Sequence, residues 1–308
     1  LSAPYAGMIF AELGAEVIKI EKPVIGDDSR NMGPAFRHGA SMSFQDVNRG
    51  KRSVVIDLKS EAGRADLFAL LATADVLVHN LRPGEADRLG IGAGVVCAMF
   101  PRLLYCGITA FGSRGPRRLQ PGYEPLLQAF GGLISMNGNP EGPPARMGAS
   151  LVDQGTAMWT VIGVLAALHR RTATGRGGVI DTSLLETALG WSAPRIHSYI
   201  NEGKPSERYG TAHPNLVPYQ AFATADGLVM ICAGNDRLFG KLALALERPE
   251  WASDPRFATN RQRLVHRAML VDLMEEVLGM QPRAHWIERI ERAGVPVAPV
   301  NSIPEVAA

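Results

Sequence analysis

One carboxylate in this sequence stands where it could act as a nucleophile. Asp153 lies in the segment Leu-Val-Asp-Gln-Gly-Thr, residues 151–156, between an apolar pair and the start of a long apolar stretch. An ionised carboxylate can attack an activated acyl group. The other interpretation is that Asp153 only caps a helix, because Asp is among the most frequent N-cap residues. The local sequence leaves both interpretations open.

The stretch that follows Asp153 predicts a buried helix. Residues 156–171 carry apolar side chains on every face, and Arg170 and Arg171 precede Gly175, as cations and glycine do at helix ends. A carboxylate at the start of such a helix accepts backbone N–H groups and lies at the positive end of the helix dipole. We therefore expect Asp153 to stay ionised in either role.

Two further segments contain candidate ligand contacts. Asn80 and Arg88 lie in residues 78–90, directly after a predicted strand, and open α/β sheets bind ligands beyond the carboxyl ends of their strands. Tyr123 and Glu124 place an aromatic ring and a carboxylate at a predicted helix start. Capping explains the second pair equally well.

Several motifs with well-defined chemistry are missing from the sequence. No G-x-G-x-x-G follows the first predicted strand, and no Walker, H-E-x-x-H or G-x-S-x-G motif is present. The glycine-rich run at residues 175–178 is typical of a turn between a helix and a strand, and His213, beside a proline, is typical of a loop. We predict no metal site and no tightly bound cofactor.

Composition narrows the class of protein. The chain has 308 residues, 46% of them hydrophobic and 20% charged, which fits a globular protein of one large or two ordinary domains. The net charge of +2 is spread along the chain, so we predict no nucleic-acid partner. No apolar run approaches the length of a membrane span, and we predict no membrane association. Three cysteines without metal-ligand spacing indicate free thiols in a reducing compartment, and hence a cytoplasmic protein.

The order of predicted elements indicates an α/β fold. Short β-branched runs alternate with helical stretches in the first half of the chain, which is the pattern of a parallel sheet covered by helices. The strand candidates are residues 16–21, 53–58, 76–80, 103–110 and 179–182. The helix candidates are residues 5–13, 61–72, 85–89, 125–134, the long helix from Asp153, and 183–191.

A change in amino-acid composition along the chain predicts two domains. From residue 195 the sequence becomes polar, with proline and glycine turn signals, and we predict a large domain over 1–194, a linker over 195–208 and a smaller α+β domain over 209–308. In the small domain we predict a hairpin of residues 219–224 and 227–233, helices over 236–246, 261–278 and 282–293, and a last strand over 295–300.

An ordered set of motifs in this chain resembles the class III CoA-transferases, a family that includes formyl-CoA transferase and carnitine CoA-transferase. The motifs, in order, are Ala3-Pro4, AELGAEVIKIE at 11–21, Gly26-Asp27, NRGKRS at 48–53, residues 80–90, Tyr123-Glu124, Asp153, TGRG at 174–177, Pro218-Tyr219-Gln220 and Asp226-Gly227. The resemblance covers nearly the whole chain.

The resemblance implies a covalent mechanism on Asp153. In the family, the matching aspartate attacks an acyl-CoA thioester to give a mixed anhydride, and the CoA thiolate then converts the anhydride into an aspartyl-CoA thioester. An incoming carboxylate takes over the aspartyl group, and CoA leaves on the new acid. Glu124 and Tyr123 match positions near the reacting groups, which implies supporting roles in orientation.

The resemblance also implies how CoA is bound as part of the substrate. Six residues match positions that line the nucleotide and pantetheine path in formyl-CoA transferase: Lys22, Ile56, Lys59, Asn80, Leu81 and Arg88. Two positions depart from that enzyme, because Leu1 stands where it has Gln and Pro121 stands where it has a cation. Formyl or oxalyl specificity is therefore not supported, and the glycine-rich loop over its active site has no clear counterpart after Ala233.

Two functions other than transfer of CoA are less compatible with the residues at positions 123, 124 and 153. A branch of the family that includes α-methylacyl-CoA racemase uses a histidine and an aspartate as acid and base, and its histidine falls at Tyr123 here. Tyrosine, with a reference pKa of about 10, replaces imidazole poorly near neutral pH. A noncatalytic CoA-binding or assembly protein would not need Asp153 together with Tyr123 and Glu124.

The resemblance further implies a homodimer of two chains threaded through each other as interlocked rings. Each subunit of the family has a Rossmann-like large domain, made from both chain ends, and a small domain joined by linkers. In this sequence the C-terminal return to the large domain is expected to be missing. A long linker that crosses the partner would account for the polar stretch from Arg195 to Pro218.

Overall fold

The computed structural model describes all residues, 1–308, and the chain forms two compact units. The first unit comprises Leu1–Asn137 and Pro144–Ser206, and the second comprises Gly138–Pro143 and Glu207–Ala308. Gly138–Pro143 lies within the predicted large domain but belongs to the second unit. Arg208 of the second unit fixes this segment. This side chain donates a hydrogen bond of 2.7 Å to the carbonyl oxygen of Gly142.

Parallel strand pairs organise the first unit. Its strands are β1 (Val17–Glu21), β2 (Phe36–Arg37), β3 (Ala40–Ser41), β4 (Lys51–Val55), β5 (Val76–His79), β6 (Leu104–Thr109) and β7 (Gly178–Ser183). β1 pairs with β4, and β5, β6 and β7 form a second sheet in that order, with every pair parallel. β2 and β3 form a short antiparallel pair. The predicted α/β class is confirmed, although the parallel strands divide between two sheets.

Eight α-helices belong to the first unit. They are α1 (Ser2–Glu12), α2 (Met42–Asn48), α3 (Glu61–Leu71), α4 (Glu85–Arg88), α5 (Ala93–Met99), α6 (Glu124–Phe130), α7 (Leu151–Thr174) and α8 (Leu184–Glu202), with 3-10 turns at Asp28–Asn31 and Ile134–Met136. The prediction that the last helix ends at residue 191 is wrong. It runs through Pro194 to Glu202, so residues 195–202 of the predicted linker are helical.

The second unit is built on an antiparallel sheet. Its strands are β8 (Tyr219–Ala223), β9 (Leu228–Cys232) and β10 (Val297–Pro299), and β9 lies in the middle. Its helices are α9 (Asp236–Ala245), α10 (Asn260–Val265), α11 (Arg267–Leu278), α12 (Arg283–Arg292) and α13 (Ile303–Ala307), with a 3-10 turn at Pro249–Ala252. The predicted hairpin is present. The helix predicted over residues 261–278 is instead two helices, which meet at His266.

The long helix α7 is the central support of the first unit. It packs against α1, α8, β6 and β7. A Cβ atom on Gly155 would come within 2.3 Å of the ring of Trp191, so only glycine permits the close approach of α8 at this point. Two pairs of threonine hydroxyls join α7 to its neighbours at 2.8 Å each: the buried pair Thr156 and Thr187 joins it to α8, and the partly buried pair Thr160 and Thr182 joins it to β7.

One face of α7 is apolar and exposed. The helix is long and apolar enough, by length and composition, to cross a membrane, with a mean hydropathy of 1.4 over 18 residues. The sequence-based prediction that no apolar run approaches the length of a membrane span is therefore wrong for α7. A core helix of a soluble protein meets the same criterion, and 39% of this window is buried within the chain.

Candidate active site

Asp153 lies in the first turn of α7. The helix begins at Leu151, and Ser150 is the N-cap residue, although its side chain makes no capping hydrogen bond. The interpretation of Asp153 as the N-cap is therefore wrong. Asp153 remains close to the positive end of a 24-residue helix dipole, which favours a negative charge on its carboxyl group.

The carboxylate of Glu124 takes over part of the capping role. Glu124 is the first residue of α6 and is only 4% exposed. Its Oε1 accepts the backbone N–H of Val152 at 3.4 Å, and this N–H is one of the groups at a helix start that have no partner within the helix. The side chain of Asp153 itself accepts a hydrogen bond from the hydroxyl of Ser2 and none from a backbone N–H of this turn.

Gln128 extends this contact to the segment that leads into α7. Its Nε2 donates to Glu124 Oε1 at 2.5 Å, and its Oε1 accepts the backbone N–H of Met147 at 3.0 Å. Gln128 is fully buried. The other carboxylate oxygen of Glu124, Oε2, is also buried but has no hydrogen-bond partner. The chain is thus held on α6 both before and within the first turn of α7.

Ser2 was not predicted as part of the site. It is the first residue of α1, is 3% exposed, and its Oγ donates a hydrogen bond to Oδ1 of Asp153. Leu1, not Ser2, is the N-cap residue of α1, so the preference of serine for N-cap positions does not identify Ser2. Nothing in the local sequence indicates contact with a residue 151 positions later, which depends on the packing of α1 against α7.

Lys51 fixes the first turn of α1. Its Nζ donates to the carbonyl oxygens of Pro4 and Val47 at 2.5 and 2.7 Å and to Oδ1 of Asn48 at 2.8 Å. The amine therefore has three acceptors, one on α1 and two on α2, while burial lowers the pKa of Lys51 to about 7. The lysine connects the turn that carries Ser2 to the start of β4.

The side chain of Tyr123 points into solvent in this chain. Tyr123 is the N-cap residue of α6 and is 76% exposed. It is next to Glu124 in sequence, but its hydroxyl makes no hydrogen bond to Asp153 or Glu124. Of the three predicted catalytic residues, Asp153 lies in the first turn of α7 and Glu124 is hydrogen-bonded to the backbone of that turn, whereas Tyr123 is hydrogen-bonded to neither side chain.

The predicted CoA-binding residues follow the carboxyl ends of parallel strands. Lys22 follows β1 and Ile56 follows β4, where Glu21 pairs with Val55 and the backbone N–H of Ile56 donates to the Glu21 carbonyl oxygen at 2.9 Å. Lys22 is exposed and forms an ion pair with Asp28 at 2.5 Å. Ile56 is buried.

The other four candidates lie on loops and on α4. Asn80 and Leu81 follow β5, Arg88 ends α4, and Lys59 precedes α3. The side chains of Lys59, Asn80 and Arg88 are exposed, and the two cations take part in no ion pair. Leu81 packs against the same apolar cluster as Leu58, which brings the two loops to one part of the unit. No hydrogen bond joins these residues to Asp153 or Glu124.

An ion-pair network supports the loop that follows β1. Glu21 is buried and accepts two hydrogen bonds from Arg30, each of 2.7 Å, and a further one from Ser53 at 2.7 Å. These donors, the guanidinium of Arg30 first, lower the pKa of Glu21 to about 2. The network fixes the chain on both sides of Lys22.

His79 shapes the loop that contains Asn80 and Leu81. Its Nδ1 accepts the backbone N–H of Leu81 at 3.2 Å, and its ring packs edge-on against Tyr105. Burial lowers the pKa of His79 below its usual value, so the ring is neutral near pH 7. No group of three or more His, Cys, Asp or Glu side chains is arranged to hold a metal, and the three cysteines are free thiols.

Comparison with known proteins assigns this chain to a family. The whole chain, residues 1–308, matches the family described as CoA-transferase family III. It is 39% identical over 308 residues to an acetyl-CoA:oxalate CoA-transferase of Acetobacter aceti, covering 100% of this chain and 79% of that protein. It is 36% identical over 306 residues to a succinyl-CoA:glutarate CoA-transferase of Mus musculus, covering 99% and 70%. The crystal structure of a CAIB/BAIF family protein from Brucella suis matches with a TM-score of 0.90 at 38% identity, covering 100% of this chain and 82% of that one.

Proposed function

Because this chain belongs to CoA-transferase family III and is a CoA-transferase, we propose that Asp153 is the nucleophile through which it moves CoA from an acyl-CoA donor to a carboxylic acid acceptor. The observation that carries the proposal is the carboxylate of Asp153 in the first turn of α7. Glu124, rather than Asp153, accepts the Val152 N–H at this helix start. The positive end of the helix dipole lies close to the carboxylate of Asp153.

The proposed reaction passes through three acyl intermediates. Asp153 attacks the donor thioester, which releases CoA thiolate and leaves a mixed anhydride. The thiolate attacks the aspartyl carbonyl of this anhydride, releases the donor acid and forms an aspartyl-CoA thioester. The acceptor carboxylate displaces the thiolate to give a second anhydride, and the thiolate then attacks the acceptor carbonyl and frees Asp153. Each step exchanges one acyl group, so no resident metal or redox cofactor is needed.

Substitution of Asp153 tests the proposal directly. Asp153→Asn keeps an oxygen that can accept the Ser2 hydrogen bond but removes the nucleophile, so we expect loss of CoA transfer with an unchanged Kd for CoA. Hydroxylamine traps acyl-enzymes, and with a suitable acyl-CoA it should modify Asp153 in the wild-type protein only, as read by peptide mass spectrometry. Full activity of the Asn variant, or turnover without a trapped Asp153, contradicts covalent catalysis on this residue.

We further propose that CoA is recognised by the residues at the carboxyl ends of β1, β4 and β5. Lys59 and Arg88 present unpaired cations for phosphates, Asn80 presents an amide, and Leu81 and Ile56 present apolar surface. Lys22 adds a third cation, whose charge is shared with Asp28. In chemical type, these groups match the phosphate groups, the adenine and the pantetheine of CoA.

For the acceptor we propose a dicarboxylic acid. Two relatives are named for oxalate and glutarate, which are both dicarboxylates. Such a substrate needs a cation for its second carboxylate, and Arg146 is an exposed arginine next to Met147, whose backbone is fixed on Gln128. A mass-spectrometric screen of acyl-CoA donors against mono- and dicarboxylic acids tests this. Equal rates with a monocarboxylate and a dicarboxylate of the same chain length contradict the proposal.

We also propose that the protein is a homodimer with the interlocked chains implied by its family. What supports the proposal is the apolar surface that one chain leaves exposed on α7 and α8. Its members are Met158, Trp159, Ile162, Leu165, Leu189, Tyr199 and Ile200. On α7 the exposed positions 158, 162 and 165 recur at helical spacing, so they form a stripe of the kind that helices bury against a partner.

A further inference from the structure

We infer that Ser2 is a further catalytic residue, whose hydroxyl stabilises negative charge on Oδ1 of Asp153 whenever the aspartyl carbonyl itself is attacked. The inference rests on the proposed function of Asp153. The hydroxyl donates to Oδ1 in the resting structure, and Ser2 is almost completely buried. The donor is therefore in place before any substrate binds.

The position of Ser2 is fixed by the surrounding fold. Lys51 holds the carbonyl oxygen of Pro4, two residues further along α1. Ala6 of α1 packs in a buried cluster with Ala157 and Val161 of α7, and the small size of the alanines allows the two helices to lie close together. A hydroxyl held in this way needs no reorganisation when charge develops beside it, which is the condition for electrostatic stabilisation of an oxyanion.

The hydrogen bond makes the two oxygens of Asp153 unequal. Oδ1 shares its electron density with the Ser2 proton, whereas Oδ2 accepts no hydrogen bond. Oδ2 is consequently the better nucleophile towards the donor thioester. In the mixed anhydride that results, Oδ2 is the bridging oxygen and Oδ1 is the carbonyl oxygen of the aspartyl group.

Two of the four steps then place a negative charge on Oδ1. When CoA thiolate attacks Cγ of the anhydride, the carbonyl electron pair moves to Oδ1, and its return expels the donor carboxylate together with Oδ2. When the acceptor carboxylate attacks Cγ of the aspartyl-CoA thioester, the pair moves to Oδ1 again, and its return expels CoA thiolate. In the other two steps the charge develops on an oxygen of the substrate, where Ser2 Oγ is not the donor.

Because Ser2 acts in only two of the four steps, two exchange reactions can distinguish its role from a general effect on the enzyme. Exchange of labelled CoA into the donor acyl-CoA, without acceptor, requires only attack on the donor carbonyl and its reversal. Exchange of labelled donor acid into the same acyl-CoA also requires attack on Cγ of Asp153. For Ser2→Ala we expect a fall on the order of 10²-fold in kcat and in acid exchange, as for loss of one oxyanion donor, with CoA exchange and the Kd for CoA unchanged.

Ser192→Ala is the matched control. Ser192 is also buried and donates from Oγ to the carbonyl oxygen of Gly131 at 2.7 Å, so its loss removes a comparable hydroxyl without touching Asp153. The inference is overturned if Ser2→Ala keeps wild-type kcat, or if it lowers both exchanges equally with a larger drop in Tm than the control. Either result leaves Asp153 as the nucleophile, provided that Asp153→Asn is inactive, so the two proposals fail separately.

Discussion

Glu124 Oε1 accepts the backbone N–H of Val152 at 3.4 Å, so a buried carboxylate from α6 caps the helix that carries Asp153. The same oxygen accepts the side-chain amide of Gln128 at 2.5 Å. Sequence analysis predicts a role in orientation for Glu124, and these contacts give that role a physical basis. In the proposed role, the residue orients Asp153 through the backbone of the preceding residue, Val152.

Two substitutions separate orientation from charge at Glu124. Glu124→Gln keeps an oxygen that accepts both hydrogen bonds, and its amide replaces Oε2, an atom that already lacks a partner. We expect this variant to keep kcat within about tenfold of wild type. Glu124→Ala leaves two buried donors unpaired, each at a cost of about 1–3 kcal/mol, and we expect a loss of at least about 100-fold in kcat with a lower free energy of unfolding.

Steady-state kinetics and urea unfolding of the two variants provide the measurement. Gln128→Ala serves as the comparison, because it removes one of the two donors and leaves the Val152 hydrogen bond intact. If Glu124→Gln is as inactive as Glu124→Ala while remaining stably folded, the negative charge of Glu124 is required, and orientation alone does not describe its role.

The exposed cations near the strand ends predict how CoA binding responds to substitution and salt. Lys59→Ala and Arg88→Ala each remove a charge that has no partner in the protein. We expect about a tenfold rise in the Kd for CoA for each, little change in kcat, and a smaller effect at high ionic strength, where exposed charges are screened. Calorimetry with CoA at two salt concentrations measures the effect.

Arg237 on α9 provides the matched control for these cations. It is an exposed arginine of the second unit and belongs to no predicted site. Arg237→Ala should leave the Kd for CoA unchanged. An equal loss of affinity in this variant would indicate a general effect of net charge rather than phosphate contacts at Lys59 and Arg88.

Glu21 predicts a pH-dependent contribution to stability. Hydrogen bonds from Arg30 hold the pKa of Glu21 at about 2, against 4.5 for the free side chain. Because the folded-state pKa is the lower one, the stabilisation is complete above pH 4.5 and is lost as the pH falls from 4.5 towards 2. The size of the shift corresponds to about 3 kcal/mol. Glu21→Gln should therefore lower the free energy of unfolding at pH 7 and have much less effect at pH 3.

Chemical denaturation at both pH values measures this difference. Glu16→Gln is the control, since Glu16 and its partner Arg52 are both well exposed and such pairs contribute little. If the effect of Glu21→Gln does not diminish between pH 7 and pH 3, the shift in the pKa of Glu21 is not the source of its contribution.

The elements with strong local signals were predictable from the sequence. The order of motifs identified the family, which the full-length match confirms, and apolar periodicity located β1, β5, β6 and α7. The end of α8 was not found, because Pro194 and the polar residues after it are typical of a break, whereas the helix continues to Glu202. Helix α2 was missed although Ser41 caps it by accepting the Phe44 N–H at 3.0 Å, a local signal that was available.

The contacts that define the candidate site were beyond local sequence patterns. Capping of α7 by Glu124 and the hydrogen bond from Ser2 join residues that are 28 and 151 positions apart. Asp is a frequent N-cap residue, which makes Asp153 a possible cap when only the local sequence is considered. That preference takes no account of a carboxylate that another helix supplies. Tertiary packing, rather than the propensity of Asp for N-cap positions, decides that Glu124 caps α7.

The proposed interlocked dimer predicts unusually slow exchange of subunits. Two chains that are threaded through each other separate only if one of them unfolds, whereas a dimer held by surface contact alone exchanges its subunits on dilution. We expect that tagged and untagged homodimers, mixed under native conditions, form no heterodimer by native mass spectrometry. The same mixture, unfolded in guanidinium chloride and refolded, should give heterodimers, which is the positive control. Heterodimers formed without denaturant, or a monomer at all concentrations, contradict the interlocked arrangement, and a monomer would also leave the apolar stripe of α7 without a partner.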